Sequence, residues 1–154
     1  MLIYNIWKLL HVFAVIIFVG NITLGPFWKA AADRTKNREK VADTLKNLIR
    51  ADRLFTMPSV AFLIIFGFGA QMTIGYEIET PWILWGLIMI IISGAVFMAK
   101  VVPLQKKMYA LASDENKFSW EEYQKLSKQW NIWGSIATLA PYIAVILMVL
   151  KPGS

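Results

Sequence analysis

The chain has 154 residues, a net charge of +6 and a hydrophobic share of 57 %. That share exceeds the roughly 45–50 % typical of proteins, which argues against a soluble domain and for a chain whose excess apolar surface lies in lipid. The absence of cysteine and the single histidine exclude disulfides, iron–sulfur clusters and zinc sites built from His and Cys.

Four apolar segments follow one another along the chain, and each has close to the ~20 residues that a helix needs to cross a bilayer. Aromatic side chains such as Tyr4, Trp28, Tyr76 and Trp82 lie near their ends, where amphipathic rings prefer the membrane interface. The sequence therefore predicts an all-α, four-helix transmembrane bundle that forms one integral membrane domain over residues 1–154. The predicted spans are residues 4–27, 55–76, 82–104 and 130–150.

The basic residues predict the orientation of the bundle. Eight lysines and arginines lie between spans one and two and five between spans three and four, whereas the short connection 77–81 has none. The positive-inside rule then places both long connections in the cytoplasm and both termini outside, in a chain that crosses the membrane four times. Because the charges lie between apolar runs, they indicate membrane orientation and no nucleic-acid partner.

The cytoplasmic connections carry helical signals of their own. Val41, Leu45 and Leu48 recur at helical spacing, so the helix of span two is expected to begin in the cytoplasm. Ser119 followed by Glu122 matches a capping box, which predicts that the helix of span four begins near Trp120. A loop is expected at residues 112–118.

Span one carries a polar stripe. Lys8, His11, Asn21, Gly25 and Trp28 lie along one helical face. Small residues on that face permit close helix packing, so the face is expected to point into the bundle, with His11 one or two turns below the outer surface.

The single histidine is the candidate functional residue. A buried imidazole in a helical bundle favours ligation of heme b or a metal, or proton transfer, and a hydrogen bond to a neighbouring helix without any ligand is the alternative. At a similar depth lie three methionines, Met72, Met89 and Met148. A His/Met pair is a known heme ligation, and a His/Met cluster suits Cu(I), although methionines in apolar helices are often packing residues.

Three lysines lie at or near the ends of the predicted spans. Lys8 and Lys151 lie at the outer surface, where they are expected to pair with heme propionates or to remain solvated end charges. Lys100 lies near the cytoplasmic end, too far from His11 to share a ligand, and is expected to extend to the inner headgroups.

Other classes of function have less support. None of the predicted spans holds an acidic residue, which disfavours a channel or transporter with a proton or cation relay. There is no catalytic triad at one depth, no glycine-rich phosphate loop and no pair of carboxylates inside the membrane, so the sequence leans towards a protein that is not an enzyme.

Two regions of the sequence carry family resemblances. The run Lys8–Val12, with His11 inside it, precedes Phe18–Asn21, and this pattern resembles span one of HemJ-type protoporphyrinogen oxidases and of CopD-type copper-resistance proteins. Nearly the whole chain, with Val102–Gln105 and Leu147–Pro152 as its marks, resembles a bacterial family of predicted integral membrane proteins of unassigned function. HemJ-type proteins have further histidines in their spans, so the resemblance implies heme ligation by His11 and not the oxidase activity.

Three functional interpretations follow. The first is a heme b protein for electron transfer, heme handling or redox sensing, with His11, Lys8, Asn21, Met72, Met89 and Met148 as candidate cofactor-binding residues. The second is a copper-handling protein with His11 as metal ligand, and the third is a non-catalytic accessory or assembly subunit. Glycines on spans two and three leave open a homodimer or a larger membrane complex.

Overall fold

Four long helices make up the fold. The structure is a computed structural model that describes residues 1–152. The helices are α1 Leu2–Arg34, α2 Arg38–Ile74, α3 Pro81–Ser113 and α4 Trp120–Leu150, and each is long and apolar enough to cross a membrane. The predicted all-α bundle with four spans is confirmed.

Local capping contacts explain where these helices begin and end. The Asn37 side chain accepts a hydrogen bond from the Lys40 backbone N–H at 3.0 Å and so caps the start of α2. Gly75, with a φ of 79°, ends α2 in the left-handed conformation that glycine adopts without strain. Ser119 accepts from the Glu122 backbone N–H at 3.5 Å, which confirms the predicted cap of α4.

The helices extend beyond the apolar segments at one end of the bundle. A helix of 33 residues such as α1 is about 50 Å long, whereas the hydrocarbon layer measures about 30 Å. The excess length lies at the end of the bundle that carries both long basic connections. The loop predicted at residues 112–118 lies there too, and it begins only after Ser113, the last residue of α3. We call this end the inner end, and the end with the termini and the connection 75–80 the outer end.

The four helices pack as two pairs that join at the inner end. In the outer half, α1 packs on α2 and α3 packs on α4, whereas the outer halves of α2 and α3 make no close backbone contact in the described chain. In the inner half α2 packs against α3, and a core with residues from all four helices encloses Leu45 and Met108 completely. The pairs are therefore held together at the inner end and lie apart at the outer end.

Two π turns interrupt the middle helices at the level where the pairs join. One is Asp52–Thr56 in α2 and the other is Phe97–Val101 in α3. Pro58 and Pro103 follow within two residues, and neither has the backbone N–H that would continue the α-helical pattern. Each π turn inserts one residue into its helix, a feature that is frequent at functional sites.

Removing the Leu45 side chain should destabilise the inner core. Leu45 has no exposed surface, so Leu45→Ala should leave a cavity and lower the free energy of unfolding by about 2–5 kcal/mol. Thermal unfolding in mild detergent measures the loss, with the exposed neighbour Lys46→Ala as the control. Equal stability of the two variants would contradict a core at this position.

Candidate functional site

A cavity of about 520 Å³ lies in the outer half of the bundle, between the two helix pairs. All four helices contribute to its walls, which are mostly apolar. The polar and charged side chains that line it are Tyr4, Lys8, His11, Gln71, Tyr76 and Lys151. This outer cavity has the size and the mixed lining that are typical of sites for small molecules and cofactors.

His11 is fixed at the wall of the outer cavity by α2. Its Nδ1 lies 2.8 Å from the backbone oxygen of Leu63. A carbonyl oxygen can only accept, so Nδ1 carries the hydrogen, and in the neutral ring Nε2 then keeps its lone pair. Nε2 has no hydrogen-bond partner among the described residues. It is also not one of the polar atoms that these residues bury completely. The ring therefore offers a free nitrogen at the edge of the outer cavity.

Gly67 makes room for this imidazole. A Cβ atom at position 67 would lie 3.1 Å from both Cε1 and Nδ1 of His11, closer than side chains normally pack. Gly69 has the same effect at the next contact along α2, where a Cβ would lie 2.7 Å from the Trp7 ring. Glycines on α2 thus let the ring-bearing face of α1 approach closely.

Two lysines lie at the mouth of the outer cavity. The ammonium of Lys8 lies 5.8 Å from the centre of the Tyr4 ring, and that of Lys151 lies 4.9 Å from the Trp82 ring. Aromatic faces attract cations at such distances. The outer cavity therefore combines an apolar interior with a positively charged entrance.

The structure brings only some of the predicted site residues to this cavity. Met148 lines it, beside Gly86, where a Cβ would lie 2.5 Å from the methionine methyl carbon. Met72 is 75 % exposed on the outside of α2. Met89 lines neither this cavity nor a smaller one that lies deeper in the bundle. Asn21 is also absent from the outer cavity.

Asn21 instead belongs to a second, smaller cavity deeper in the bundle. This inner chamber has a volume of about 80 Å³. Asn21 Nδ2 donates to Thr56 Oγ1 at 2.7 Å and to Asp52 Oδ1 at 3.3 Å. Gln105 Nε2 donates to the other Asp52 oxygen at 3.2 Å. Sequence reasoning missed Asp52, which lies three residues before the predicted start of span two.

A buried lysine is the second feature that the sequence did not reveal. Lys29 is only 2 % exposed, and its ammonium contacts Asp33 at 2.7 Å and Ser127 at 2.6 Å. The Tyr123 hydroxyl donates to the other Asp33 oxygen at 2.6 Å, and the ammonium lies 5.2 Å from the Trp130 ring. These contacts link α1 to α4, so Lys29 belongs to the inner core as well as to the basic segment.

Filling the space at Gly67 should displace the His11 ring. An alanine in a helix gains about 1 kcal/mol over glycine, but crowding a packed site costs about 1–3 kcal/mol, so Gly67→Ala should be neutral or destabilising. Gly20→Ala is the matched control, because no atom lies within 4 Å of a Cβ there, and it should be neutral or stabilising. Thermal unfolding of both variants compares them, and equal shifts would contradict close packing at Gly67.

Comparison with known proteins places the chain in a family. No curated protein and no solved structure matches it. The model of one family, described as predicted integral membrane protein (DUF2269), matches residues 5–152. This match supports the predicted membership in a membrane-protein family without an assigned function. The chain belongs to the DUF2269 family of predicted integral membrane proteins.

Proposed function

We propose that this membrane protein binds heme b in the outer cavity, with His11 Nε2 as an axial ligand. The observation that carries the proposal is the hydrogen bond from Nδ1 to the Leu63 carbonyl. Histidines that ligate a metal almost always donate their other ring nitrogen to a carbonyl or carboxylate, which fixes the tautomer and the ring orientation. His11 is held in this way beside a cavity, and no group of residues 1–152 is hydrogen-bonded to its second nitrogen.

The volume and the lining of the outer cavity support binding of a large, mainly apolar cofactor. Its volume of about 520 Å³ lies within the range of roughly 300–1,000 Å³ of cofactor and ligand sites. The porphyrin ring of heme needs apolar walls, which the four helices supply. Its two propionate groups are carboxylates at one edge of the ring, and they need cations beside them. Lys8 on α1 and Lys151 just after α4 line the mouth of the cavity. We propose that their ammonium groups pair with the propionates.

Each residue of the site then has a defined task. His11 binds the iron, and the Leu63 carbonyl orients the imidazole. Met148 is the one predicted methionine that lines the cavity, and its thioether sulfur would be a second group to hold the iron. The bound cofactor supplies one-electron redox chemistry, which suits electron transfer, heme handling or redox sensing in a bacterial cytoplasmic membrane.

The copper interpretation has less support from the same geometry. A Cu(I) site needs several soft ligands, but Met72 and Met89 do not line the outer cavity. In the described residues no group of three or more His, Cys, Asp or Glu side chains is placed to hold a metal ion. A non-catalytic accessory role needs only the hydrogen bond of His11 and leaves the cavity beside it unexplained.

Absorption spectra test the proposal. The purified protein, incubated with heme in mild detergent and then reduced, should show a Soret band and a sharp α-band. His11→Ala should abolish the α-band, and Met148→Leu should change its position, because each variant removes an axial ligand.

Met72→Ala is the control for this experiment, since Met72 lies outside the cavity, and its spectrum should equal that of the unchanged protein. Thermal unfolding without heme shows whether His11→Ala still folds. The proposal is refuted if His11→Ala binds heme and gives the same spectrum as the protein without a substitution. It is also refuted if the protein without a substitution binds no heme. Bound copper in a colourless protein would favour the copper interpretation.

A further inference from the structure

The inner chamber lies between the two π turns. Asp52 and Thr56 come from the π turn of α2, and Phe97 and Val101 from the π turn of α3. Its volume of about 80 Å³ is several times the roughly 10–15 Å³ that one enclosed water requires. The chamber is thus roomy enough for a small ion together with water.

Asp52 is the only acidic side chain that lines the chamber in the described chain, and it has no cationic partner there. Thr56 Oγ1 donates to Asp52 Oδ1 at 2.9 Å, in addition to the bonds from Asn21 and Gln105. All three donors are neutral groups that stabilise a carboxylate. None of the ion pairs among the described residues includes Asp52.

Two lysines of the inner half, Lys29 and Lys100, have their contacts elsewhere. Lys29 contacts Asp33 and Ser127, and Lys100 is exposed, with its ammonium 5.3 Å from the Trp133 ring. A carboxylate inside a membrane bundle is costly without a compensating positive charge. Residues 1–152 supply none within ion-pair distance, so the charge balance of the chamber is incomplete.

Trp130 points independently to a chamber that holds water. It is 6 % exposed and lines the chamber, and its indole Nε1–H has no hydrogen-bond acceptor in the described chain. A buried N–H without an acceptor destabilises the folded state. A water molecule beside the indole, such as one in the hydration shell of an ion in the chamber, would satisfy this group.

We propose that the inner chamber binds a hydrated monovalent cation, with Asp52 as its charged ligand. Hard cations prefer oxygen ligands, and the chamber offers the Asp52 carboxylate and the Thr56 hydroxyl. Asn21 and Gln105 also line the chamber, and their amide nitrogens donate to Asp52 and so hold the carboxylate in position. One carboxylate matches one positive charge. The site does not depend on the heme proposal, because none of the residues assigned to heme binding belongs to it.

Sodium is the probe that tests this site. The detergent-purified protein, unfolded thermally in sodium chloride and in choline chloride at equal ionic strength, should be more stable in sodium, since a ligand of the folded state stabilises it. Equilibrium dialysis with radioactive sodium should show one saturable site per chain. Equal stability in the two salts together with no saturable sodium binding would overturn the proposal.

Variants identify the ligand. Asp52→Asn should weaken sodium binding about 10- to 100-fold, as expected for the loss of a charged partner. Asp43→Asn on the exposed surface of the same helix is the matched control and should bind sodium as the unchanged protein does. If Asp52→Asn does not fold, Thr56→Val should also weaken binding, because it removes the hydroxyl that donates to Asp52 and is proposed as a ligand while it keeps the carboxylate.

Two results would overturn the assignment to Asp52. One is sodium binding that is unchanged in Asp52→Asn or Thr56→Val. The other is a protein that ignores sodium but whose infrared spectrum shows a protonated carboxyl that disappears in Asp52→Asn, because Asp52 would then hold a proton instead of a metal cation.

Discussion

The hydrogen bond between His11 and the Leu63 backbone oxygen fixes the imidazole at the wall of the outer cavity. Leu63 lies in the middle of a regular stretch of α2, where its carbonyl already accepts the N–H four residues on. The imidazole therefore uses the remaining lone pair, and it reaches that oxygen because Gly67 has no side chain. This contact fixes the tautomer and leaves Nε2 as the nitrogen that can bind a cofactor.

The arrangement of the helices explains why there is a cavity beside that nitrogen. The inner core and the buried Lys29–Asp33 pair join the two helix pairs at one end, and no comparable contact joins the outer halves of α2 and α3 in the described chain. Phe18 and Ile90 line both cavities and so form the wall between them. The bundle thus holds a larger cavity beside His11 and a smaller one beside Asp52.

The sequence predicted the spans and the direction of His11 because hydropathy and helical spacing are local properties. It could not identify the partners of Asp52 and Lys29, since Asn21 lies 31 positions from Asp52 and Ser127 lies 98 positions from Lys29. It also could not choose among the methionines, because spans two to four are apolar on all sides and show no inward face. Asn21 shares the stripe of His11 but lies ten residues further, about 15 Å along the helix, and so reaches a different cavity.

Nitrogen-15 NMR of the single histidine tests the central claim most directly, because one residue gives the whole signal. In the cofactor-free protein, above about pH 8 where an imidazole is ordinarily neutral, the account predicts a hydrogen on Nδ1, held in a hydrogen bond, and a bare Nε2. Added heme should then shift the Nε2 resonance. A neutral ring with its hydrogen on Nε2 would contradict the account, as would a ring that averages between both tautomers.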